Sequence, residues 1–181
     1  MPYRRTKDLV TAALIAALIT VGAWVALPIG PVPVTLQTFA IVLAALVLPP
    51  RQAFAAVGVY ILAGAVGVPV FASGRAGLAV IAGPTGGFLA GFLVGAPLAA
   101  WARVVFVRRV GATPADAVAA AVAIGVTYSL GWAHLAFVLG LGPAAAFAGG
   151  VVPFVVADAL KAGAAVVVAG AVRRAGVLAG P

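Results

Sequence analysis

"LVTAALIAALITVGAWVALPIGPVPVTLQTFAIVLAALVLPP", residues 9–50, carries no charged side chain. One helical membrane crossing takes about 20 apolar residues, so a stretch this long reads as two crossings. The break between them falls at Pro28, Gly30, Pro31 and Pro33, because proline fixes φ and removes a backbone donor. The segment predicts a helix over residues 8–27, a connection "PIGPVPVT", and a short second helix over 36–48 that stops at Pro49-Pro50-Arg51.

The remainder of the chain repeats that pattern. Of its 181 residues, 65% are hydrophobic and 8% charged, whereas soluble domains hold about 25% charged residues. A water-soluble fold of this length has no interior large enough for so much apolar side chain, so lipid is the expected solvent. Further helices are predicted over 52–67, 87–107, 115–140 and 151–172. Between them lie "FASGRAGLAVIAGPTGG" (71–87), "GATPAD" (111–116) and "GLGPAAAFAGG" (140–150). The expected fold class is an all-α integral membrane protein, one transmembrane domain over 1–181, with six transmembrane helices. The basic, then apolar, start of the chain has the look of a signal peptide. Its apolar stretch is too long for one and others follow, so it reads as a retained first helix. Irregular backbone at membrane depth survives only where protein or a water-filled cavity covers it, so the Gly/Pro-rich loops at 28–35 and 71–85 are expected to cap or line a pocket.

Charge placement supplies the orientation. The net charge of +8 is scattered in small groups between apolar runs, a topology signal and no nucleic-acid footprint. With both termini cytoplasmic, the inner segments collect Arg4, Arg5, Lys7, Arg51, Arg103, Arg108, Arg109, Arg173 and Arg174, and the outer ones only Arg75. Five or seven helices would put a basic cluster on the wrong side. The expected location is the cytoplasmic membrane of a bacterium or archaeon.

Two basic residues escape that explanation, Arg75 and Lys161, and Asp158 is the single acid inside a predicted span. Ionisable groups in a span cost a few kcal/mol on insertion scales and mark sites or pathways. Asp158 and Lys161 are three residues apart and share a helix face, about 10–15 Å below the outer end of the sixth predicted helix at 1.5 Å per residue. A self-neutralising structural pair is the simpler alternative. Arg75, in a glycine-rich loop, is either a solvated charge or a partner for a carboxylate. Gln37, Thr38, Ser73 and Thr85 are candidate hydrogen-bonding groups, although Ser and Thr often bond their own backbone. Phe71, Phe88, Tyr128 and Trp132 are candidates for an apolar slot, against a role as interface anchors, the role expected of Trp24 and Trp101. His134 reads as a hydrogen-bonded packing residue. Small residues recur four apart in the first helix, as Ala12/Ala16 and Ala13/Ala17, a spacing that lets helices approach closely.

The chain has no cysteine and one histidine, so it offers no thiolate or multi-histidine metal site and little for catalysis. No phosphate-cradling GxxxxGK[ST] motif is present, so ATP hydrolysis by the chain itself is not expected. A channel would show polar rings along a pore, whereas polarity here gathers towards one side.

Three blocks, "PVPVTLQTFA" (31–40), "GVPVFASGRAGLAVIAGPTGGFLAGF" (67–92) and "DALKA" (158–162), resemble the BioY family, the membrane substrate-binding (S) components of energy-coupling-factor (ECF) biotin transporters. The resemblance implies six helices, an outward-facing biotin pocket, no cofactor of its own, and partners: a transmembrane coupling protein and ATPase subunits that use ATP. It implies ligand contacts for Asp158 and Lys161, in the family's Asp-x-x-Lys motif. It implies a contact for Ser73, which stands where some relatives have an asparagine facing the ureido ring. Phe88 replaces a tyrosine found in many members, while Arg75 matches no motif position and rests on charge alone. The expected binding set is Asp158, Lys161, Ser73, Arg75, Gln37, Thr85, Phe71, Phe88 and Trp132, with either Arg75 or Lys161 meeting the ligand's carboxylate. The resemblance also implies a docking face for the coupling protein at Ala13 and Ala17, with Ala12 and Ala16 as the other register. An S component for another small vitamin, or a biotin transporter without dedicated ATPases, are the alternatives.

Overall fold

Residues 2–176, with the side chains of residue 6 and of 9–176, are described by a computed structural model. The side chains of Arg4, Arg5 and Lys7, on which the first inner cluster rests, and residues 177–181 lie outside the described residues. Six helices of eleven residues or more carry the fold: α1 Pro2–Trp24, α2 Gln37–Val47, α3 Pro50–Ala65, α5 Gly86–Val110, α6 Ala112–Leu139 and α8 Val155–Arg174. Two short ones sit in segments expected as loops, α4 Leu78–Ala82 and α7 Pro143–Gly150. Among the described residues, three stretches are long and apolar enough to cross a membrane: Gly86–Val110, Ala112–Leu139 and Pro143–Arg174. Leu9–Trp24 and Gln37–Val47 are apolar but shorter. The chain is therefore a mostly helical, multi-pass membrane protein.

Local chemistry explains where helices stop. α1 ends before Pro28, and the following segment folds back as a two-stranded hairpin, Ala26 opposite Thr35 and Leu27 opposite Val34. The expected run to residue 27 is thus three residues too long. α3 takes Pro50 at its first position, where the missing N–H costs nothing. Pro153 breaks regular helix into a 3-10 turn at Val152–Phe154, so α8 starts at Val155 and not at 151.

The two longest helices, α5 and α6, form the most extensive contact. Gly87, Gly91 and Gly95 make a groove along α5. A β-carbon at Gly91 would lie 2.6 Å from Thr127 Cα, and one at Gly95 3.0 Å from the Ala123 carbonyl oxygen. This is small-xxx-small packing. It is written in α5, although the sequence drew attention to α1. Apolar cores lie on both sides of α2: one joins it to α1, α3 and α5, the other to α5, α6 and α8.

At the end of the bundle opposite the α2 N-terminus, Asp116 is 1% exposed and accepts from two arginines. Arg103 Nε lies 2.6 Å from one oxygen, and Arg173 donates to the other while also reaching the Leu46 carbonyl. The cluster ties α5, α6 and α8 to the end of α2. Asp116→Ala leaves two guanidinium groups without their acceptor, and breaking a buried pair costs about 3–5 kcal/mol. A large fall in the melting temperature of the detergent-purified protein is expected, and an unchanged melting curve would show the cluster to be dispensable.

Candidate functional site

At the other end, where α2, α5 and α8 begin, an open cavity encloses about 570 Å³ of unfilled space, its mouth included. Small-molecule pockets are mostly apolar with a few placed polar groups. Here Phe71, Phe88, Leu89, Phe92 and Phe154 supply apolar wall, and Val32 and Pro33 of the hairpin close one side. Gln37, Thr38, Thr85, Thr127, Tyr128 and Asp158 supply the polar groups, with Thr35 at the hairpin.

Asp158 is the one ionisable acid or base among the lining residues apart from the phenol of Tyr128. It is 4% exposed. Tyr128 Oη donates to Oδ2 at 2.7 Å, and Lys161 Nζ donates to Oδ1 at 2.8 Å. Asp158 stands in the first turn of α8, where the helix dipole also favours a negative charge. A carboxylate has about four acceptor positions. Two are taken, so the group retains capacity for N–H donors of a guest.

The structure brings together Asp158, Gln37, Thr85, Phe71 and Phe88 of the expected set as lining residues. It sets four others apart. Lys161 is bonded to Asp158 but does not line the cavity; it neutralises the carboxylate from behind. Asp158 lies about 5 Å from the start of its helix, not 10–15 Å, because Pro153 delays that start. Trp132 is spent on α7: its Nε1 donates to the Pro143 carbonyl at 2.9 Å and its ring meets Phe147 edge-on. Ser73 and Arg75 are exposed and off the wall. Ser73 has φ 59, the single positive φ on a non-glycine among the described residues, a conformation that asparagine and glycine reach more easily. Arg75 is adjacent to the pocket, its Nε donating at 3.2 Å to the carbonyl of the lining residue Ala72.

His134 is a packing residue, its Nε2 3.0 Å from the Gly83 carbonyl oxygen and its side chain seated over Gly87. Trp24 bonds the Pro69 carbonyl at 2.9 Å, anchoring α1 to the loop after α3. On α1 the two alanine registers separate: Ala12 and Ala16 are buried in the core, and Ala13 and Ala17 face outwards.

Sequence reasoning gave Tyr128 a place only as possible apolar wall, and missed Thr127 altogether. No spacing links Tyr128 to Asp158, which is thirty residues away. The signal that was present is the Gly87/Gly91/Gly95 stripe, which brings this stretch of α6 against α5.

A helical bundle in lipid, with a mostly apolar cavity built around one compensated carboxylate, defines a membrane-embedded small-molecule binding protein. The sequence profile of the BioY family matches residues 1–177, and the chain belongs to that family. A probable biotin transporter BioY of Pyrococcus horikoshii is 39% identical over 91% of this chain and 95% of its own. A biotin transporter BioY of Thermotoga maritima is 50% identical over a stretch covering 50% of this chain and 53% of its own. Among solved structures, the S-component for biotin from an ECF-type ABC transporter superposes with TM-score 0.88 at 23% identity, covering 96% of this chain and 94% of that one.

The absence of native cysteine makes the cavity easy to probe. Thr38→Cys and Thr85→Cys are expected to react with a small water-soluble maleimide in detergent, while Ala165→Cys, fully buried, stays unlabelled. Equal labelling of all three by mass spectrometry would mean that the cavity is not open as described.

Proposed function

We propose that this chain captures biotin and carries it across the cytoplasmic membrane of a bacterium or archaeon as the S component of an ECF transporter. The observation that carries the reading is the placement of Asp158: a carboxylate bonded by Tyr128 and Lys161 yet still lining an open, largely apolar cavity. Biotin presents a ureido ring with two N–H donors, an apolar bicycle and chain, and a terminal carboxylate. Asp158 accepts a ureido N–H, the phenylalanines hold the bicycle and chain, and Gln37, Thr38 and Thr85 bond the remaining polar atoms. The family membership, and the names its relatives carry, support the choice of ligand.

The ligand's carboxylate is assigned to Arg75. None of the residues lining the cavity is a cation, and Lys161 is committed to Asp158. Arg75 is exposed beside Ala72 at the wall and keeps its terminal guanidinium nitrogens for a bidentate contact. Ser73 and Trp132 act through the shape of the loops around the pocket.

Six helices cross the membrane, with both termini cytoplasmic. Arg51, Arg103, Arg108, Arg109, Arg173 and Arg174 then fall on the cytoplasmic side. The chain forms one transmembrane domain, uses no cofactor and leaves ATP to partner subunits. The transmembrane coupling protein docks on the outward face of α1 through Ala13 and Ala17, the register left free by the core.

Isothermal titration of the purified chain tests the ligand. Biotin is expected to bind, with riboflavin and thiamine giving no heat; failure to bind biotin overturns the reading. Asp158→Asn removes the charge that a ureido N–H meets, and bonds to charged groups are worth about 1.5–3 kcal/mol. It should weaken biotin at least about tenfold while membrane insertion persists. Arg75→Ala should weaken biotin but leave biotinamide, which lacks the carboxylate, unchanged. Separately, Ala13→Trp and Ala17→Trp should leave biotin affinity intact and abolish co-purification with the coupling protein; undiminished recovery of the complex would exclude that face.

A further inference from the structure

We infer that Tyr60, outside the cavity wall on α3, is a positioning residue that sets the ligand-binding state of the pocket through Gln37 and Phe71. The inference rests on the biotin reading above and extends it to a residue with no ligand contact.

Tyr60 is 1% exposed, one of the largest fully buried side chains, and belongs to the core behind the cavity. Two of its features point at the wall. Its hydroxyl oxygen accepts from Gln37 Nε2 at 2.6 Å. Its ring meets the Phe71 ring edge-on, with centroids 5.6 Å apart and planes at 81°. Gln37 and Phe71 both line the cavity, and they come from different segments: Gln37 opens α2 directly after the hairpin, and Phe71 lies in the loop after α3.

The Gln37 amide is oriented from both ends. Thr35 Oγ1 donates to its Oε1 at 3.1 Å while accepting the Gln37 backbone N–H at 3.2 Å. A primary amide has two N–H donors and a carbonyl with two lone pairs. Tyr60 takes one donor and Thr35 one lone pair, so one N–H and one lone pair remain for the guest in fixed positions. Without the phenol oxygen, the buried N–H has no acceptor, and the amide gains by turning away. Phe71 is held likewise: its ring fills the space over Gly64, where a β-carbon would overlap it, and packs near-perpendicular to the Tyr60 ring one turn away on the same face of α3. One buried tyrosine therefore couples the hairpin side of the pocket to the loop side.

A double-mutant cycle read by biotin titration tests this. Tyr60→Phe keeps the ring and its edge contact and removes the oxygen alone. In the wild-type background it is expected to weaken biotin about tenfold, the scale of one well-made hydrogen bond. In a Gln37→Ala background, the same substitution is expected to cost nothing further, because there is no amide left to orient. Tyr60→Leu, which also removes the contact to Phe71, is expected to weaken biotin in both backgrounds. Equal losses from Tyr60→Phe in both backgrounds would mark a merely structural tyrosine and overturn the inference, as would unchanged affinity in the wild-type background. In both of those results biotin still binds the unaltered chain, so the functional reading stands. Absence of biotin binding by the unaltered chain overturns that reading and this inference with it.

Discussion

A carboxylate in a lipid-solvated bundle persists only when its charge is met, and the contacts at Asp158 meet it twice. Lys161 removes the net charge and Tyr128 satisfies the second oxygen, so the desolvation cost of a lone ion in hydrocarbon does not arise. The arrangement depends on packing elsewhere. Tyr128 reaches Asp158 because α6 sits at the right depth and rotation, and that position follows from the close approach of α5 along Gly87, Gly91 and Gly95. Backbone contact of this kind matters more in lipid than in water, since apolar side chains gain little by leaving acyl chains for one another.

Two of the three acids are described, and they solve the same problem differently. Asp116 is saturated by two arginines and sealed at 1% exposure. It is a fastening between helix ends with nothing left to offer. Asp158 is held by one cation and one phenol and keeps an open side on a cavity. The two clusters tie α6 to opposite ends of α8. The hairpin packs on α6 through Val32 and Val34 against Leu135 and Tyr128, while the 66–77 loop is held from α1 and α3 through Trp24 and Tyr60.

Much of this was legible in the chain. Proline and glycine placement gave five of the six principal helices to within about four residues at each end, and placed the start of α1 six residues late; the lone acid of the last span pointed to the pocket. The missing parts have physical reasons. α4 is only five residues long, and α7 is eight residues made almost wholly of Ala, Gly and Pro, so neither registers as a periodic segment and both read as loops. Lys161 shares a face with Asp158, and the sequence could not show that the lysine points behind the carboxylate and not into the cavity. Trp132 looked like wall because aromatic rings suit apolar ligands, but its N–H found the Pro143 carbonyl. Tyr60 was invisible because its importance lies in two contacts across the fold, to residues 23 and 11 positions away, arranged by no repeat.

The lack of a lining cation bears on how a guest with an ionised tail would sit. Burying an anion deep in this cavity would set it near Asp158, whose compensation by Lys161 and Tyr128 is already complete. Two carboxylates in one low-dielectric space repel strongly. The binding mode proposed above avoids this: it sends the polar, uncharged end of the ligand inward to Asp158 and leaves the charged end at the mouth, in contact with water and Arg75. Under that proposal, selectivity divides along the depth of the pocket. The buried end discriminates by hydrogen-bond pattern, where an unmatched group is costly, and the rim discriminates by charge, where solvent weakens the contact and lets it break. A rim charge that is weak by construction lets a site grip its ligand's ring firmly and still release the tail first.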